Sequence, residues 1–124
     1  MFQVTSTPNA PSAIGPYSQA IFANGFLFAS GQIALMPGTG EVVGTTIEEQ
    51  AERSCLNVKA ILEANGLSFE NVVKTTCFLT DMADFAAFNA VYGNYFVSKP
   101  ARSCVAVKDL PKGVLCEIEF IAAL

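Results

Sequence analysis

The sequence predicts an α+β sandwich: a mixed β-sheet with two helices packed on one of its faces. Three observations carry this. Apolar residues recur at helical spacing in only two stretches, runs rich in β-branched and aromatic residues fill much of the remainder, and the two kinds succeed one another in the order ββ(β)αβαββ. With 124 residues, the chain has room for one domain spanning 1–124 and no second.

Taken in order, "TPNAPSAIGPYSQ" is rich in Pro, Ser and Gly and reads as an irregular arm. "QAIFANGFLFAS" places two apolar runs around Asn24-Gly25, the strongest short-range hairpin signal. "GQIALMPGTGEVVG" follows as a short strand, a Gly-rich turn and a second extended piece. From Thr46 the period changes, and Ile47, Ala51, Cys55, Val58, Ile61 and Leu62 share one helical face. Thr46 with Glu49 forms a capping box and Gly66 supplies the stop. "VVKTTCFLT" reads as a strand, and Phe85, Phe88, Tyr92 and Phe96 restore helical spacing. "ARSCVAV" and "VLCEIEFIA" read as a closing pair of strands joined by a Pro-containing turn.

Two helices cover only one face of a sheet. The strands "QAIFA", "FLFAS" and "CFLT" are nevertheless apolar at nearly every position, the pattern of strands buried on both sides. Hydrophobic residues make up 52% of the chain and charged residues only 15%, against roughly 25% charged in ordinary soluble domains. The expectation is self-association, most simply a closed cyclic ring of subunits.

The net charge of −4 and the scattered Lys and Arg leave no basic stripe, which argues against nucleic acid as a partner. No apolar run approaches the roughly 20 residues that span a bilayer, and the N-terminus resembles neither a signal nor a transit peptide, so a cytoplasmic protein is expected. Cys55, Cys77, Cys104 and Cys116 lack C-x-x-C spacing, and the chain contains no histidine; no metal site and no cofactor is expected, and the thiols read as small hydrophobes. Any chemistry has to come from carboxylates, phenols, thiols, backbone groups or water.

Arg102 and Glu117 stand out because each lies in an apolar strand near the C-terminus. A hairpin turn centred between Asp109 and Leu110 sets them directly opposite each other, with Cβ atoms about 5 Å apart on one face. A slip of two residues brings Glu119 opposite Arg102, and a slip of one removes the pairing. Spacing alone admits a cross-strand ion pair as readily as a guanidinium fork for a substrate carboxylate with a carboxylate-held water beside it.

"PARSCVAVKDLPKGVLCEIEFIA" resembles the C-terminal signature of the RidA/YjgF family of enamine/imine deaminases. "AIGPYSQAI", "LFASGQI", the segment from Gln50 to Gly66 and "VVKTTCFLTDMADFAAFN" are similar to further family segments in the family order. The resemblance covers essentially the whole chain. It implies a chorismate-mutase-like fold, a homotrimer around a central barrel, and clefts between subunits. It also implies hydrolysis of 2-imino and 2-enamino acids, such as 2-iminobutanoate and 2-iminopropanoate, to 2-keto acids and ammonia, which clears by-products of pyridoxal-phosphate-dependent dehydratases. Residue by residue, it implies that Arg102 grips the substrate carboxylate and Glu117 positions the hydrolytic water. It further implies that Tyr17 lines the cleft, that Gly31 and Cys104 offer backbone contacts, and that Asn89 is a polar wall residue. Cys116 departs from the family's aliphatic residue, and strand alternation turns it away from the Glu117 face.

Each has a plainer reading. Gly31 could mark a turn, Tyr17 anchor the arm by packing, and Asn89 serve its helix; Tyr92 and Phe96 read as core. The competing functions are a non-catalytic binding module for small carboxylates, an endoribonuclease, and a pericyclic enzyme like the chorismate mutases.

Overall fold

A computed structural model describes residues 2–124. Its strands are β1 (Phe2–Thr5), β2 (Ala20–Ala23), β3 (Phe26–Gln32), β4 (Val72–Leu79), β5 (Ala101–Ala106) and β6 (Cys116–Ala123). They form one sheet in the order β1-β2-β3-β6-β4-β5. All neighbours are antiparallel except β4 and β5, which run parallel. The helices α1 (Ile47–Ala64) and α2 (Phe85–Tyr95) connect β3 to β4 and β4 to β5. The fold is the predicted mixed α+β arrangement.

Local chemistry sets the element boundaries. Asn24 and Gly25 take φ of 52° and 80°, the paired left-handed conformation that matches the twist of a two-residue hairpin. Thr46 accepts a hydrogen bond from the Glu49 N–H while Glu49 accepts from the Thr46 N–H, closing the capping box that starts α1. At its other end Gly66 adopts φ +70°, the terminating conformation glycine adopts without strain. The predicted stripe of Ile47, Ala51, Cys55, Val58, Ile61 and Leu62 is buried throughout. It packs in one core with Leu27, Cys77, Leu79, Ile118, Phe120, Phe88 and Tyr92. Cys116 lies fully buried beside Ser54 of α1, on the face away from Glu117 as alternation requires. β1 is an edge strand absent from the sequence reading; four residues are too few to display a period.

The opposite face of the sheet carries Phe26 and Phe28, each more than 40% exposed, and Val105 at 45%. Phe26 and Phe28 flank the fully buried Leu27, so the double apolarity of this strand in the sequence corresponds to one covered face and one open face.

The expected hairpin between the last two strands does not form. β4 lies between β5 and β6, so Arg102 is registered against Thr75 on one side of it and Glu117 against Phe78 on the other. After β5 the chain crosses the end of β4, where the Val107 N–H bonds to the Leu79 carbonyl and the Thr80 N–H to that of Leu115. It turns through Pro111–Gly113 and returns antiparallel on the far side. The physical reason is the α2 crossover, which delivers β5 parallel to β4 and leaves the other edge of β4 for β6.

Candidate active site

Strand alternation decides where the charged residues point. Thr75 and Cys77 are buried beneath the helices, and their partners Arg102 and Cys104 share that side. Cys116 and Ile118 are likewise buried beneath the helices, so Glu117 between them projects from the open face. Arg102 and Glu117 therefore occupy opposite faces of one sheet. The cross-strand pair expected from spacing is absent, both as an ion pair and as a shared site within one chain.

Around Arg102 the surroundings come from α2. Phe85, Asn89 and Tyr92 lie at helical spacing on one face. Asn89 Oδ1 accepts a hydrogen bond from Arg102 Nη1 at 2.8 Å. The guanidinium carbon sits 4.7 Å from the Tyr92 ring centroid and 5.5 Å from that of Phe85, within cation–π range. Tyr92 is itself fixed: its ring stacks on Phe96 at 4.2 Å, and its hydroxyl shares a 2.8 Å hydrogen bond with Thr75. Burial pushes the Tyr92 phenol up to about 12, so it stays neutral. One hydrogen bond and two rings hold the guanidinium, leaving donors of its fork to meet a planar anion. Arg102, Tyr92 and Phe96, together with Gly93, Val97 and Pro100, border a depression of about 450 Å³. Cys104 lies two residues along the same strand, half-buried.

Around Glu117 a second cleft, of about 620 Å³, is lined by Ile14, Tyr17, Gly31, Leu35, Lys112 and Glu119 among others. The Glu117 carboxyl lies directly over Gly31: a Cβ there would come within 2.6 Å of Cδ and 2.9 Å of Cγ, and closer still to Oε2. Gly31 thus makes room for a carboxylate, a stronger role than the turn or backbone contact read from sequence. Burial, and then the like charge of Glu119, push the Glu117 carboxyl above its usual range. Such a group exchanges a proton closer to neutrality than a free glutamate. The Tyr17 hydroxyl oxygen accepts a long 3.4 Å hydrogen bond from the Ile14 N–H, and its ring is half exposed.

The six residues picked out by sequence fall into two groups. Tyr17, Gly31 and Glu117 meet in one cleft; Asn89 and Arg102 make one contact, with Cys104 beside them. Sequence reasoning considered Glu119 only as an alternative partner for Arg102, although the period-two "EIE" put it on the Glu117 face. It also took Tyr92 as core alone, although the spacing of Phe85, Asn89 and Tyr92 was available to place all three under one cation. Burial raises the Cys104 thiol, and raises Cys77 and Cys116 to about 12; none is an activated nucleophile.

The chain matches the family model described as Endoribonuclease L-PSP over residues 7–124. It is 54% identical to a RutC family protein of Synechocystis sp., covering 98% of this chain and 96% of that one. It is 47% identical to the chloroplastic Reactive Intermediate Deaminase A of Arabidopsis thaliana, covering 98% of this chain and 66% of the relative. The crystal structure of YyfA from Yersinia pestis, a protein of unknown function of the conserved Rid protein family, superposes with a TM-score of 0.96 at 48% identity and full coverage of both chains. The chain belongs to the Rid family, whose members also carry the names RutC and YjgF.

Proposed function

We propose that this protein hydrolyses 2-imino acids, and 2-enamino acids after tautomerisation, to 2-keto acids and ammonia in a site shared between two copies of the chain. One observation carries the reading: a pre-positioned guanidinium and a proton-exchanging carboxyl, both accessible, face away from each other across a single sheet. One chain cannot apply both to one small molecule, and a neighbouring copy laid against the apolar open face can. The assembly proposed is the homotrimer that the family resemblance implies.

In this mechanism the Arg102 fork binds the substrate carboxylate and fixes C2 for attack. Glu117 takes a proton from water as its oxygen bonds to C2, forming a tetrahedral carbinolamine. With the imine protonated at nitrogen, Glu117 returns that proton to the carbinolamine nitrogen. It then takes the hydroxyl proton as the C2–N bond breaks, so ammonia leaves as the keto group forms and carries the last proton away as ammonium. For an enamine, Tyr17 or a water held by Glu117 delivers the proton to the terminal carbon first. Backbone groups at Gly31 and Cys104 steady the nitrogen, and Asn89 holds Arg102. The substrate's small apolar group meets Ile14, Leu35 and the aromatic wall beside Arg102.

The deciding measurement follows 2-iminobutanoate made in situ by a threonine dehydratase. Added protein should shorten its lifetime and raise the rate of 2-ketobutanoate release; an unchanged lifetime sinks the reading. The family model's description makes ribonuclease the alternative to weigh. Glu117 and Glu119 in one cleft repel phosphodiesters and no histidine is present, so RNA incubated with the protein should remain intact.

A pH prediction follows from the two carboxyls. Removing the Glu119 charge makes ionisation of Glu117 easier, so the base is available at lower pH. Glu119→Gln should move the acidic limb of the kcat/KM profile to lower pH, while burial keeps it above the ordinary carboxylate value. An unmoved limb would show that Glu119 does not set the base.

A further inference from the structure

The arm that forms one wall of the Glu117 cleft has almost no backbone pairing of its own. Among the described residues, the only backbone–backbone hydrogen bond made between Ser6 and Ser18 is the local one from the Tyr17 N–H to the Gly15 carbonyl. Pro8, Pro11 and Pro16 have no N–H to offer a ladder. Yet this arm presents Ile14 and Tyr17 to the cleft.

A single side chain makes up much of the deficit. Gln19, only 5% exposed and immediately preceding β2, accepts a 2.7 Å hydrogen bond at Oε1 from the Thr7 N–H. Its Nε2 donates to the carbonyls of Thr7 at 3.0 Å, Pro11 at 2.9 Å and Ala10 at 3.3 Å. The side-chain amide thus acts as a surrogate peptide group, pairing both backbone groups of Thr7 as a strand neighbour would. Its two N–H groups serve three acceptors, so at least one is shared. The bond to Ala10, itself 1% exposed, is buried and the others are partly buried, where unmade hydrogen bonds are costly. The arm's far end is tied separately, by Ser30 Oγ donating to the Ser18 carbonyl at 2.6 Å.

We infer that Gln19 is a positioning residue for catalysis: it holds the arm, and through it Tyr17 and Ile14, as a fixed wall of the cleft. This rests on the cleft being the imine hydrolase site proposed above. Glutamine is specifically required. Leucine has similar bulk and no polar atoms, and glutamate keeps the acceptor for Thr7 but turns an oxygen toward three carbonyls.

The test uses the full-length protein and two variants, Gln19→Leu and Gln19→Glu, so that a folding failure of one leaves the other. Hydrogen exchange of amides between Thr7 and Tyr17 should accelerate at least tenfold in both, while amides of β4 and α1 exchange as in the wild type. Imine hydrolysis should fall about tenfold or more in kcat/KM. In a Tyr17→Ala background the same Gln19 substitutions should cost no more than about twofold, because residues acting through one another are not additive. Arm exchange at the wild-type rate in both variants overturns the inference whatever the activity, and so does a full additive loss in the Tyr17→Ala background. Absence of imine hydrolysis by the wild-type protein would instead sink the functional reading, and the exchange data would still decide whether Gln19 holds the arm.

Discussion

Replacing Glu117 by glutamine is expected to lower kcat for imine hydrolysis by about 10²–10⁴-fold, the usual range for a lost general acid–base group. The substitution keeps the shape over Gly31 and removes only the ability to accept a proton. A 2-keto acid product, gripped at its carboxylate by Arg102, should still bind the variant and should fail to bind Arg102→Ala. The same carboxyl can be disturbed from below. Gly31 is not held at a positive φ, so alanine is compatible with its backbone. The three atoms nearest the added methyl all belong to the Glu117 side chain. Gly31→Ala should therefore fold and assemble normally while losing activity nearly as far as Glu117→Gln, because it displaces the base. Steady-state kinetics beside thermal melts check both variants. A Glu117→Gln protein hydrolysing imines at the wild-type rate would remove the base from the mechanism.

Much of the fold was legible because its signals are local. The Asn24-Gly25 turn, the Thr46–Glu49 box and the buried stripe of α1 are each specified within a few residues, and each forms as read. The order of strands is not local. Whether β6 pairs with β5 or with β4 depends on where α2 lays β5 down, and no pattern within "ARSCVAV" or "VLCEIEFIA" records that choice. The error propagated directly to the site, since a neighbouring hairpin would have put Arg102 and Glu117 on one face. The identities of both residues survived because a charged residue in an apolar strand is conspicuous wherever the strand lies. Gln19 was invisible for the opposite reason: a polar residue beside an irregular arm is unremarkable until its four hydrogen bonds are seen together.

The opposed faces lead to the sharpest test of the assembly. Arg102→Ala and Glu117→Gln should each be nearly inactive as pure proteins. Unfolded together in equal amounts and refolded, they should regain activity. A cleft that takes Arg102 from one subunit and Glu117 from the next is intact when the first carries only the Glu117 substitution and the second only the Arg102 substitution. In a randomly mixed closed ring that arrangement occurs at about one cleft in four, so the mixture should recover about a quarter of wild-type activity from parents that have almost none. If each site drew both residues from a single chain, every cleft in the mixture would lack one of them and nothing would return. Sedimentation equilibrium on the same samples should give a mass near three chains for both parents and the mixture. Recovery is then attributable to exchange of whole subunits within one ring size. A mixture that assembles fully and stays as inactive as its parents would overturn the shared site.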